Sequence, residues 1–174
     1  MRPEPSYTLR RAGAADAAAV RDMFHKSFTA TFGHLYPAQE LAEFLAGCSE
    51  ERFRHECTDA DHAVMLGEDA DGLLLGYCTL GPYDLETNSS RRWWVLRQLY
   101  LDEAAKGTGL AQTLMDWAIG EARAQGYEEL YLTVWVENHR ARRFYDKQGF
   151  IEVGKYEYRV GNTVDDDRIL RLDL

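Results

Sequence analysis

The sequence predicts an α+β domain: a central, mostly antiparallel mixed sheet of about seven strands, with helices on both faces and one parallel βαβ unit. Three observations lead there. Strand-type and helix-type patterns follow one another as strand, helices, three strands, helix, strand, helix, two strands. Trp93 to Val136 reads as strand, helix, strand, a crossover expected to be right-handed. The last two strand-like segments flank Gly161-Asn162 and predict a closing antiparallel pair. A chain of 174 residues suits one hydrophobic core, so residues 1–174 are expected to form a single domain.

Taken in order, Tyr7 to Arg11 alternates apolar and polar residues and reads as a short strand. Asp16 is a candidate cap for a helix with Val20, Met23, Phe24 and Phe28 on one face. A turn near Pro37 starts a second helix carrying Leu41, Phe44 and Leu45, and Glu50 to Cys57 forms a short third one. Ala63–Glu68 and Leu73–Leu80 pair about a turn at Asp69–Gly72, and Gly81-Pro82 ends the second strand. Asp84 to Arg92 is polar and predicted as loop. Trp93–Leu101 is the next strand. Gly109–Gln125 is amphipathic, with Leu110, Leu114, Trp117, Ala118 and Ala122 at helical spacing. Glu129–Val136 is β-branched and aromatic, as in a buried strand. Arg140–Gln148 is a short helix, followed by strands at Ile151–Val160 and Arg168–Leu174.

Composition excludes several classes. The net charge of -9 argues against nucleic-acid binding, which leaves a basic footprint. The same charge suits a cationic small substrate, although acidity serves solubility too. The three cysteines, Cys48, Cys57 and Cys78, form no CxxC pair and imply a reducing compartment. The five histidines show no metal-ligand spacing along the chain, and no metal is expected. Met1 to Tyr7 has no apolar core of a signal peptide, and no apolar run is long enough to span a membrane. A cytoplasmic protein without nucleic-acid or membrane partners is the expectation, and exposed strand edges leave a homodimer open.

Lys106-Gly107-Thr108-Gly109-Leu110-Ala111 lies between a strand and a helix. Glycines let backbone N–H groups approach a ligand closely, and the helix start adds unpaired donors and the positive end of its dipole. Together these make an anion site suited to a pyrophosphate. A plain tight turn uses the same glycines. The P-loop pattern is absent, and Gln112 stands where the dinucleotide fingerprint needs a small residue.

This segment resembles the Q/R-x-x-G-x-G/A motif of the GCN5-related N-acetyltransferase (GNAT) family, with Lys106 in the first position. Leu96 to Leu101 resembles that family's acetyl-CoA strand. A second signature follows: Asn138, then Ala141-Arg142-Arg143-Phe144-Tyr145, then Gly149-Phe150. The resemblance runs from Leu96 to Val153. Phe32-Gly33 and Leu35-Tyr36-Pro37 also look similar to polyamine and diamine acetyltransferases.

The resemblance implies an acetyl-CoA-dependent N-acetyltransferase. Acetyl-CoA is the implied cosubstrate and a primary amine, such as a polyamine, the implied acceptor. The backbone of Leu99, Tyr100 and Leu101 would pair with the pantetheine like an added strand, with a free N–H near Leu99 facing the thioester carbonyl. Lys106, Gly107, Thr108, Gly109, Leu110, Ala111 and Gln112 would hold the pyrophosphate, Thr108 by its hydroxyl. Asn138 would contact the pantetheine, or only cap the helix after it. Tyr145 is the implied general acid: a phenol, of pKa about 10, can protonate a thiolate whose thiol ionises near 8.5. Packing beside Phe144 is its other reading.

An amine must lose a proton to attack. Glu40, His34, Glu137 and Tyr36 are candidate bases, and none is assigned. One of Trp93 and Trp94 can line an acceptor pocket, since strand neighbours face opposite ways. The run Asp165-Asp166-Asp167 reads as a solvated hairpin loop rather than a substrate attractor. A CoA- or nucleotide-binding regulatory module without catalysis, or an acetyltransferase for protein N-termini or lysines, stands as the alternative. A hydrolase lacks its G-x-S-x-G elbow here.

Overall fold

A computed structural model of the chain describes residues 6–174. The Met1–Pro5 part of the segment read above for a signal peptide lies outside the described residues. Strands β1 (Thr8–Arg11), β2 (Ala63–Glu68), β3 (Leu74–Gly81), β4 (Trp93–Leu101), β5 (Glu129–Trp135), β6 (Ile151–Val160) and β7 (Thr163–Asp173) form one sheet, ordered β1-β2-β3-β4-β5-β7-β6. Helices α1 (Ala17–Phe32), α2 (Ala38–Gly47), α3 (Glu50–Thr58), α4 (Leu110–Ala124) and α5 (His139–Gln148) connect them. Every strand pair is antiparallel except β4–β5. This is the predicted mixed sheet with its βαβ unit.

The sheet buries a core on each face. On one, Leu110, Leu114, Met115, Ala118 and Ala122 of α4 cover Leu96, Leu130, Leu132 and Phe150. On the other, Val20, Met23, Phe24 and Phe28 of α1 pack with Phe53 of α3 against Leu66 and Tyr77. Each large apolar side chain so buried contributes about 1.5–3 kcal/mol. The α4 core presses closely on β3. A Cβ on Gly76 would stand 2.9 Å from the Tyr100 carbonyl oxygen and 3.0 Å from Leu101 Cγ. Backbone cannot yield as a side chain can, so Gly76→Ala is expected to destabilise the fold by about 1–3 kcal/mol, read as a lower urea midpoint at unchanged slope.

Two details depart from the sequence reading. Asp16 does not cap α1: its carboxylate accepts from the Gly13 N–H at 2.7 Å and pairs with Arg10, bracing the 3-10 turn before the helix. The last strand begins at Thr163, five residues early, so Asp165-Asp166-Asp167 is strand and not loop. β7 hydrogen-bonds to β6 on one edge and β5 on the other, with Asp167 opposite both Tyr156 and Trp135. Pairing on two edges overrides the poor strand propensity of aspartate.

The feature that positions the site is a gap. β4 and β5 pair only over Trp93–Glu129, Trp94–Leu130 and Val95–Tyr131. Beyond that point the two strands carry no mutual pairing, so the β5-facing edge of Leu96–Leu101 lacks a strand partner. A bulge lies at the divergence. Leu80 pairs with Leu96 and Thr79 with Gln98, leaving Arg97 as the extra residue.

Candidate functional site

The gap opens into a cavity of about 180 Å³ lined from both faces of the sheet. Leu99 of β4 with Asn138, Ala141 and Tyr145 of the α5 region line one side. Tyr36, Trp135, Tyr158, Asp165 and Asp167 line the other. Tyr145 packs edge-on against Phe144 and Phe150, with ring centroids 5.5 and 5.8 Å away, which fixes its ring. No side chain or carbonyl among the described residues takes a hydrogen bond from its hydroxyl. Burial, with Cys78 nearby, raises the phenol above its ordinary value, so it stays protonated.

Asn138 serves two ends. Its Oδ1 accepts from the Ala141 N–H at 3.3 Å and caps α5, while the residue also lines the cavity. The capping expectation therefore holds, and the side-chain amide remains beside the gap.

The glycine segment has the geometry of an anion cradle. Gly107 and Gly109 hold φ of +79° and +93°, the left-handed region that a side chain would strain. Among the described residues, no acceptor takes the N–H of Gly107, Gly109, Ala111 or Gln112. Four unpaired donors at the start of α4 fit a pyrophosphate. Two side-chain expectations are revised. The Thr108 hydroxyl donates to the Ala105 carbonyl at 2.7 Å, so its single proton is spent within the loop. Lys106 pairs with Glu103 rather than pointing free. The side chain of Gln112 exchanges hydrogen bonds with Gln148, at 2.8 and 2.7 Å, joining the start of α4 to the end of α5.

The β7 side of the cavity holds residues that the sequence reading did not place there. Asp165 and Asp167 face the cavity from β7, while Asp166 points the other way and pairs with Arg168. The Tyr36 hydroxyl donates to Asp165. Asp167 is only 6% exposed, and burial beside Asp165 and Asp166 pushes its carboxyl up to about 7. Alternate strand residues share a face, so register was the signal, and it depends on where β7 begins. Of the four candidate bases, Tyr36 alone lines the cavity. Glu40 is engaged with Asn162 and Thr163, His34 is exposed beside Trp135, and Glu137 pairs with His139 at the surface. Neither Trp93 nor Trp94 lines it: Trp94 stacks on Tyr127 in the core, and Trp93 packs on Tyr131. Trp135 takes the place expected of them.

Spacing along the chain also missed that His55, Asp59 and His62 bring their ligand atoms within 4.8 Å of one another. Both ring nitrogens of His62 are engaged, Nδ1 with Asp59 at 2.7 Å and Nε2 with Arg97 at 2.6 Å. Among the described residues, no helix is long and apolar enough to cross a membrane.

Comparison with known proteins identifies the family and the fold. Residues 18–150 match the family described as the Acetyltransferase (GNAT) family. An uncharacterized N-acetyltransferase of Mycobacterium tuberculosis is 31% identical over 137 residues, covering 78% of this chain and 83% of that protein. The PaiA N-acetyltransferase of Thermoplasma acidophilum, solved with coenzyme A, superposes with a TM-score of 0.78 at 20% identity, over 97% of this chain and 99% of that one. The spermidine N-acetyltransferase of Vibrio cholerae, solved with CoA and spermine, gives 0.68 at 22% identity, over 97% and 95%.

Proposed function

The chain belongs to the GNAT family and is an acetyl-CoA-dependent N-acetyltransferase, and on that premise we propose that it acetylates a small primary amine by direct attack in the gap between β4 and β5. The observation that carries this reading is the placement of Tyr145 and Asp167 around one cavity. A proton donor stands on the α5 side and a proton acceptor on the β7 side.

The residues present fit the cosubstrate. The four free N–H groups from Gly107 to Gln112 hold the pyrophosphate, and the unpaired edge of Leu99, Tyr100 and Leu101 takes the pantetheine by backbone pairing. Asn138 adds its amide at the gap. When bound, the thioester supplies an activated acetyl group. The chain's own groups do the rest. Asp167, ionised above about pH 7, takes the proton from the acceptor ammonium. The freed amine attacks the carbonyl carbon, the carbon–sulfur bond breaks, and the second nitrogen proton returns to the Tyr145 oxygen, replacing the one that oxygen gives to sulfur. Tyr145 hydrogen-bonds and protonates the leaving sulfur. A thiolate beside the buried Tyr145 ring is itself costly, so transferring a proton to it removes a buried anion.

Direct attack is supported by the cavity lining, which among the described residues includes none of Cys48, Cys57 and Cys78. Cys78 is fully buried, its Sγ lies 3.8 Å from the Leu114 carbonyl, and burial raises its pKa.

Gly109→Asp is expected to weaken acetyl-CoA binding about 10- to 10³-fold. It sets a negative charge against the pyrophosphate in a left-handed position. Titration calorimetry checks this, with circular dichroism to confirm folding, and unchanged affinity would remove the loop from the cosubstrate site. The reading as a whole is tested by CoA release with a panel of amines. Tight acetyl-CoA binding with no turnover on any of them would favour the regulatory module instead.

A further inference from the structure

The cavity is electrically divided. At one end stand Asp165 and Asp167, and no arginine, lysine or histidine among the described residues pairs with either carboxylate. The nearest cation in sequence, Arg168, sends its guanidinium to the opposite face of β7, to Asp166 and Glu152. At the other end stand Arg52 and Arg97. Both lean on one carboxylate oxygen, Oε1 of Glu56, at 3.2 Å each. Glu56 is 3% exposed and the Arg97 side chain 14%.

Counting charge in that wall gives two guanidiniums against one carboxylate. His62 stands behind this wall, its Nε2 2.6 Å from Arg97 and its Nδ1 2.7 Å from Asp59. Asp59 lies behind His62 and does not line the cavity. Arg97 Nε is buried without a partner among the described residues. Glu56 Oε2 is likewise buried without a partner among the described residues, so two guanidiniums share one oxygen of a single carboxylate, an arrangement that a second anion would complete.

Tyr100 links the two ends. Burial raises its phenol, the nearby Tyr145 and Asp167 raise it further, and Arg52 opposes them. The Tyr83 ring lies 5.7 Å from the Arg97 guanidinium, on the cationic side.

Resting on the acetyltransferase reading above, we propose that the acceptor is a primary amine that also bears a carboxylate, an amino acid or a close relative. Its ammonium lies at Asp165 and Asp167, and its carboxylate at Arg52 and Arg97. A polyamine satisfies the first end and meets like charge at the second. Charge at both ends gives recognition that neither end provides alone.

The test compares acceptors that differ only in the carboxylate: amino acids against their amides, with spermidine and putrescine alongside. The readout is kcat/KM for CoA release. The carboxylated member of each pair is expected to exceed its amide by about 10²-fold or more. The comparison is stringent, because an amino amide is the weaker base and holds more neutral amine. Arg97→Gln and Arg52→Gln are expected to raise KM for the amino acid and leave the amide's KM unchanged. The wild-type panel decides even where a variant fails to fold. Equal rates on acids and amides, or a polyamine as the best acceptor, overturn the proposal. No turnover on any acceptor, with acetyl-CoA still bound, instead overturns the acetyltransferase mechanism on which it rests.

Discussion

Tyr145→Phe is expected to lower kcat about 10²-fold while acetyl-CoA affinity stays near the wild-type value. The substitution removes one oxygen and keeps the ring, which is held by Phe144 and Phe150. Because the hydroxyl has no hydrogen-bond partner among the described residues, its loss strands no buried group. Stability is therefore expected to change little, and the kinetic effect can be read as chemistry. Steady-state rates together with equilibrium binding make the check. A wild-type kcat in this variant would remove Tyr145 from proton transfer and leave it as packing.

Asp167→Asn is expected to have two effects of opposite sign. Wild-type kcat/KM should rise with pH through an inflection near 7, as Asp167 ionises and becomes able to accept a proton. The variant should lose that inflection and run about 10²-fold slower at pH 8. Stability should move the other way. The folded carboxyl is raised from about 3.8 to about 7, so between those values the folded chain binds the extra proton. Wild-type stability is thus free of this burden below about pH 3.8, falls as pH rises, and bears the whole penalty above 7. An amide of the same shape carries no charge, so the variant should gain up to ~4 kcal/mol at pH 8 and much less at pH 5. Thermal melts at the two pH values check the sign. An equal gain at both would mean that charge burial is not the cause. The expected larger gain at pH 8 would mean that function is held at the expense of stability at Asp167.

The sequence reading and the structure part company at particular residues. Strands β2, β4 and β6 begin and end where the pattern placed them, because each is bounded by turn residues and carries a strong local signal. The glycine segment, Asn138 and Tyr145 stand out in the sequence for a similar reason: each motif lies within a few residues, and the structure brings Asn138 and Tyr145 to the one cavity. Asp165 and Asp167 do not. Their place in the cavity depends on β7 pairing along both edges, and on a register that turns alternate aspartates toward the gap. Trp135, Arg52 and Arg97 were missed likewise. They meet only because β4 and β5 diverge after Val95 and Tyr131 and because the bulge redirects Arg97. Local periodicity carries no record of where two distant strands stop pairing.

The gap between β4 and β5 has a consequence for the order of events. On the proposed binding mode, the cradle at the start of α4 and the unpaired edge of β4 give acetyl-CoA its own approach, while Asp165, Asp167 and Tyr36 face the side bearing α1 and α2. Two reactants that arrive from opposite sides of one sheet need not pass each other. Neither product blocks the other's exit. Initial-rate plots at varied concentrations of both substrates should therefore intersect rather than run parallel, and each product should inhibit competitively against the substrate that shares its doorway.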